Sequence, residues 1–298
     1  MIKEIIDKLV ALLAVSALLA SCSESELWQN PQTEARDGYI MLNFKTEIPA
    51  MQEVVTRAVD PDGGGVQDMT LFCFDSYGLF ISTVKAGVTV QKPGPGEMEG
   101  TFKAEVPENT RTIHFLANQN MDEFKEDSFR NKSESEVMAV LEGSSGRMIY
   151  WGRFACDAGN DSNIAEQMAT SGNSVKLIRN HARISVDNPD NNGHIVITGF
   201  AVCNTNAFGT VAPHHPKKGF DFTWPSSDDP FVTLPVNDAK MSDITDVTSS
   251  MNQYVFECEN SADAPVSVIL RGHLPDQDEE KYYRVLLVDD KGEQLLVR

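Results

Sequence analysis

Beyond residue 38, Pro, Gly, Asn and Asp cut the chain into apolar stretches about one strand long, and most of these alternate at every second residue. That period puts one set of side chains on one face of an extended segment, so the apolar set is buried by a sheet and not along a helix. In "GYIMLNFKTEI", Ile40, Leu42, Phe44, Thr46 and Ile48 share a face, and Pro49 ends the segment. "MTLFCFDSYGLFIST" reads as a hairpin with Asp75 to Gly78 as its turn. Its first arm is apolar on both faces, which suits a strand covered by two layers. "RTIHFLANQN" turns Ile113, Phe115 and Ala117 one way.

Further strands are expected in "SGRMIYWGRF", on either side of the Asn192-Gly193 turn signal, and in "FVTLPV", "NQYVFECEN", "VSVILRGHL" and "KYYRVLLVDD". Met121 to Leu141 differs. Acids come early there and Phe124, Phe129, Val137, Met138 and Leu141 are the apolar positions, which predicts one or two short helices broken near Asn131. "EQMATSGNS" reads as a loop, and "KPGPGEMEG" as a turn whose prolines remove backbone donors. The expected fold class is mainly β: two β-sandwich-like domains of transthyretin-like or Greek-key kind, with a short helical excursion in the first. They are placed at residues 58–180 and 181–298, joined near Asn180.

The N-terminus carries a different signal. Leu9 to Ala20 form an apolar run with the length of a secretory h-region, too short for a span of about 20 residues. It ends in Leu19 to Cys22, "LASC", which is similar to a bacterial lipobox. Small residues admit the peptidase, and acyl chains on Cys22 then replace the apolar run as the membrane attachment. The n-region "MIKEIIDK" mixes Glu4 and Asp7 with Lys3 and Lys8, so an ordinary signal peptide or a short helix is the competing reading. Residues 1–21 are read as the signal peptide, and 22–57 as a tether followed by a strand. "SESE" after the cysteine resembles the surface-export signals of Bacteroidetes lipoproteins, which implies an outward-facing place on the outer membrane.

Charge and chemistry narrow the function classes. The formal net charge of -19 is spread along the chain, and such a surface repels phosphate backbones and anionic headgroups. Nucleic acid is therefore not an expected partner. With Cys22 lipidated, Cys73, Cys156, Cys203 and Cys258 remain, without a zinc-type spacing; Cys73, Cys203 and Cys258 lie in strand-like stretches and read as buried thiols. No nucleophile elbow, HExxH, phosphate loop or dinucleotide fingerprint occurs. No catalytic residue, cofactor or metal is assigned. His214 and His215 point different ways on an extended chain and read as a surface loop. "VDPDGGG" echoes a calcium loop without its later acids, and Pro61 with Gly63 to Gly65 makes it a flexible exposed connection.

Several stretches, taken in order, resemble the fimbrillin family of Bacteroidales, the subunits of type V pili. They are the lipobox "LLASC", the segment "GYIMLNFKTEIPAMQEVVTRA", the strand and turn "VQDMTLFCFDSYG", the strand end "HFLANQN", and the strands "LIRNHARISV" and "KYYRVLL". The resemblance implies a sandwich that lacks one strand, whose groove is filled in the precursor by a prosegment strand, Tyr39 to Ile48, with Tyr39, Ile40, Leu42 and Phe44 as its named residues. An arginine-specific protease cutting between Arg57 and Ala58 would open the groove to a strand of another pilus subunit, by β-augmentation. Arg36 is the competing site, but cutting there would leave the strand attached.

The implied protein is a structural subunit or accessory protein of a fimbrium, lipid-anchored in the outer membrane and supporting adhesion, and not an enzyme. Family members usually continue beyond "Y-Y-R-V" with further strands. Here "EQLLVR" stops at Arg298, as expected of a truncated chain or of a subunit that accepts a strand and cannot donate one. The alternative is a surface glycan-binding lipoprotein, with Trp28, Trp151 and Trp224 as candidates for a sugar platform.

Overall fold

The computed structural model describes residues 35–47, 66–93, 98–143, 149–186, 195–206, 209–214, 219–220, 222, 240–241, 244–246, 252–258, 260–295 and 297. These residues are mainly β. The chain starts with β1 (Tyr39–Glu47), β2 (Met69–Phe74), β3 (Phe80–Lys85), β4 (Gly87–Pro93), β5 (Met98–Pro107) and β6 (Thr112–Ala117). A 3-10 turn at Glu126–Ser128 and helix α1 (Glu134–Met138) precede β7 (Tyr150–Ala155); helix α2 (Ile164–Thr170) leads into β8 (Ser174–Lys176) and β9 (Ile178–Arg179). Two sheets result, ordered β4-β5-β1-β8 and β3-β2-β6-β7-β9.

The alternation of the sequence becomes the core between these sheets. Leu42 and Phe44 of β1, Phe102, Ala104 and Val106 of β5, Leu71 and Cys73 of β2, and Ile113, Phe115 and Ala117 of β6 all lie there. β2 and β6 are buried at every residue, because their other face is covered too. Phe72, Phe74, Leu116 and Trp151 meet Val137 and Met138 of α1, together with Val211 and Ala212 from later in the chain. The apolar character of both faces of "MTLFCF" thus reflects three layers. Its hairpin closes at the expected turn, where Asp75 Oδ1 accepts from the amides of Tyr77 at 2.8 Å and Leu79 at 3.0 Å.

The chain changes sheet between β8 and β9. β8 pairs in parallel with β1, β9 pairs with β7 in the opposite sheet, and the buried Leu177 marks the crossing. Gly152 of β7 makes the approach possible, since a Cβ there would lie 2.6 Å from the Lys176 carbonyl oxygen.

A second sandwich follows. β10 (His181–Ser185) pairs with β14 (Asn252–Phe256), facing a sheet of β11 (Val196–Thr205), β12 (Lys240–Met241), β13 (Thr245–Asp246), β15 (Ser267–His273) and β16 (Lys281–Leu286). Val202, Val255 and Val266 fill one part of its core, and Phe200 and Val268 the other.

One sequence expectation needs correction. "EQMATSGNS" is not a loop at its start: α2 covers Ile164–Thr170. Its cap was legible in "NIAE", because Asn163 Oδ1 accepts from the Glu166 amide at 3.0 Å while the Glu166 carboxylate accepts from the Asn163 amide at 3.2 Å. The strands expected on either side of Asn192-Gly193 are present as β10 and β11, which belong to different sheets. The turn itself and "FVTLPV" lie outside the described residues.

Candidate functional site

β1 is an inner strand of its sheet although it precedes every other strand of the first sandwich. It runs antiparallel to β5 from Tyr39↔Pro107 to Thr46↔Gly100, and parallel to β8 from Lys45↔Ser174 to Glu47↔Lys176. Its ladder is therefore satisfied on two sides by partners that are distant in sequence. Toward the core, Leu42 is 2% exposed and Phe44 0%. The Phe44 ring stacks on Phe102 at a centroid distance of 5.5 Å and meets Phe115 edge-on at 5.0 Å. Ile40 packs at the margin of the same core, while Tyr39 is 37% exposed.

Both ends of β1 are tied down by polar contacts. At its start, Arg36 donates from its backbone amide and from Nε to the Glu105 carboxylate, both at 2.6 Å. Its guanidinium lies 4.2 Å from the centre of the Tyr39 ring. The hydrogen bond from the Arg36 amide holds the Glu105 carboxyl below the usual carboxylate range. The Tyr39 amide bonds the Arg36 carbonyl at 3.0 Å, so the Arg36–Asp37 peptide sits inside a turn. At the far end Ser174 Oγ donates to Glu47 Oε1 at 2.6 Å, and the Leu177 amide donates to the Glu47 carbonyl at 2.8 Å. Beside the Tyr39 end, a cavity of about 610 Å³ opens between Ala35, Glu108, Asn109, Arg111 and Asn163.

If β1 left, the edges of β5 and β8 and an apolar trough lined by Phe102, Phe115 and Val175 would face solvent. Buried amides without partners cost about 1 to 3 kcal/mol each, so an empty trough of this kind demands a strand. An extended segment with alternating apolar residues fits such a trough, as β1 does.

Other sequence candidates fall elsewhere. Trp151 is 1% exposed and donates from Nε1 to His114 Nδ1 at 3.0 Å, so it is a core residue and no part of a sugar platform. Because Nδ1 accepts that bond, Nε2 carries the His114 proton and donates it to Glu134 Oε2 at 2.7 Å. Arg153 grips the same carboxylate, at 2.7 Å from Nε and 3.1 Å from Nη2. Burial works against the Glu134 charge, but the bonds from His114 and Arg153 outweigh it and hold the carboxyl at about 2. This cluster, which sequence reasoning missed, docks α1 on the sheet. Cys73, Cys156, Cys203 and Cys258 are free thiols; burial pushes Cys73 up to about 12 and Cys258 to about 11. Among the described residues, no group of three or more His, Cys, Asp and Glu side chains gathers as for a metal ion. Cys22, Trp28, Arg57, Ala58, His215 and Trp224 lie outside the described residues.

The architecture is shared with a solved protein. A candidate cell adhesion protein from Parabacteroides distasonis superposes with a TM-score of 0.54 over 86% of this chain and 84% of its own, at 14% identity. The two share a fold. A candidate cell adhesion protein from Bacteroides eggerthii gives a TM-score of 0.42 at 11% identity, over 90% of this chain and 85% of its own. The fimbrial anchor protein Mfa2 from Porphyromonas gingivalis gives 0.27 at 11% identity, over 82% of each chain. No protein-family model matches the sequence, and no curated protein matches it.

Proposed function

We propose that this chain is a lipid-anchored fimbrial subunit or accessory protein of the cell surface that supports adhesion, and that it matures by loss of the strand β1. One observation carries the reading: β1 occupies an inner place in its sheet and seals the core with Leu42 and Phe44, yet it joins the first sandwich through residues 48–65, which contain Arg57. A cut between Arg57 and Ala58 turns it from part of the chain into a ligand. A strand from a neighbouring subunit then takes its place, adding a full ladder of backbone bonds without a covalent link. The fold shared with a candidate adhesion protein supports this, as does the order of fimbrillin-like stretches. Cys22, acylated, supplies attachment to the outer membrane.

The test uses the full chain and a low dose of an arginine-specific protease. A new N-terminus at Ala58 is expected, together with uptake of a fluorescent peptide of residues 37–48 by the cut protein but not by the intact one. Arg57→Ala should abolish both. Trimming at Ala58 in that variant, or a cut protein that takes up no peptide, overturns the reading.

A further inference from the structure

The inward row of β1 runs Ile40, Leu42, Phe44, Thr46, and its last member is polar. Thr46 is 0% exposed, and among the described residues its Oγ1 has no hydrogen-bond partner. A hydroxyl taken out of water without a partner opposes burial, where a methyl group of the same size favours it. The neighbours across the ladder are Gly100 on β5 and Val175 on β8, and neither residue type has a side-chain polar group to offer. Gly100 also leaves the β5 side of this position without any side chain. The other inward positions show no such mismatch: Leu42 and Phe44 lie in the apolar cluster with Phe102, Phe115 and Val175.

Resting on the strand-exchange reading, we infer that Thr46 is a built-in mismatch that makes β1 replaceable, and that the groove selects an incoming strand with valine or isoleucine in its register. The partner is thereby described chemically. It is an extended segment running antiparallel to β5, with residues the size of Leu and Phe in the registers of Leu42 and Phe44, and an apolar β-branched residue two positions further on. The backbone ladder is the same for either strand and cancels. What remains is the hydroxyl, and it favours the newcomer.

Two fluorescent peptides of residues 37–48, one native and one with Thr46→Val, are offered to the full chain after cleavage by an arginine-specific protease. The valine peptide should bind about tenfold more tightly, the expected effect of relieving one unpaired buried hydroxyl. In the uncut chain, Thr46→Val should raise the thermal midpoint and, after cutting, slow uptake of the native peptide about tenfold. Equal binding of the two peptides, or a lowered midpoint in the variant, overturns the inference and leaves strand exchange standing. Uptake of neither peptide overturns strand exchange itself, and the inference with it.

Discussion

Phe44 stacks on Phe102 with an interplanar angle of 18°, and the two rings come from strands that the strand-exchange reading gives opposite fates. On that reading, Phe44 leaves with β1 and Phe102 stays in the groove. In the uncut chain, Phe44→Ala and Phe102→Ala should each destabilise the first sandwich by about 3 to 5 kcal/mol, the range for losing a buried aromatic ring. After cleavage the effects should separate. Phe102→Ala should weaken uptake of the 37–48 peptide, and Phe44→Ala should hasten it, because the resident strand that must leave is held less tightly. Urea denaturation before cutting and fluorescence anisotropy after it measure the two quantities; parallel losses in both would refute the division of roles.

The Arg36–Glu105 contact should shield the Arg36–Asp37 bond from a protease. Arg36 has an exposed side chain, but its backbone amide is bonded to Glu105 and its carbonyl to the Tyr39 amide. A protease needs an extended substrate segment, and the turn at Asp37–Gly38 denies it one. Glu105→Gln weakens both bonds from Arg36, since a neutral acceptor replaces a charged one. Cleavage after Arg36 should therefore be slow in the native chain and several-fold faster in the variant, as read by N-terminal sequencing over a time course. An unchanged rate would mean that the turn alone protects the bond.

Local features of this fold were legible in the sequence, and the pairings were not. Alternation located the strands at Tyr39 and Thr112, apolar strand-like stretches located those at Met69 and Tyr150, and the Asp75 turn followed from its Asp and Gly. The short helix at Glu134 fell within the segment whose Val137 and Met138 pointed to it. By contrast, α2 was missed because the polar end of "EQMATSGNS" outweighed the Asn163 and Glu166 cap signal. That β1 would lie between β5 and β8, parallel to one and antiparallel to the other, is set by burial against distant residues, which no periodicity records. The His114, Glu134 and Arg153 cluster was hidden for the same reason: its members come from β6, α1 and β7 and are scattered along the sequence.

Gly152 has a more stringent role than its place in a strand suggests. A Cβ there would lie 2.6 Å from the Lys176 carbonyl oxygen and 2.7 Å from Leu177 Cδ2, where the chain crosses between sheets. The oxygen belongs to the backbone and cannot rotate away. Gly152→Ala should cost about 1 to 3 kcal/mol as β8 is pushed off, and it should loosen β1, which β8 borders. Thermal denaturation together with hydrogen exchange at the β1 amides would check this. A midpoint equal to the native one would show that the crossing adapts freely.

His181 makes the second sandwich sensitive to acid. Its ring is 2% exposed, its Nδ1 lies 2.5 Å from Asn180 Oδ1, and its centroid is 4.2 Å from that of Phe256. Burial lowers the pKa from 6.5 to about 4, so the folded chain keeps this imidazole neutral where the unfolded chain would protonate it. Its contribution is fully present above pH 6.5 and is lost as pH falls toward 4, at up to about 1.4 kcal/mol per pH unit. His114, depressed mainly by burial, acts in the same direction. Glu134, held at about 2, adds its own loss only below its ordinary 4.5. The dependence of stability on pH between 7.5 and 5 should therefore be shallower in His181→Gln than in the native chain, whatever the variant's absolute stability. Urea titrations at several pH values give both slopes, and identical slopes would remove His181 as the group responsible.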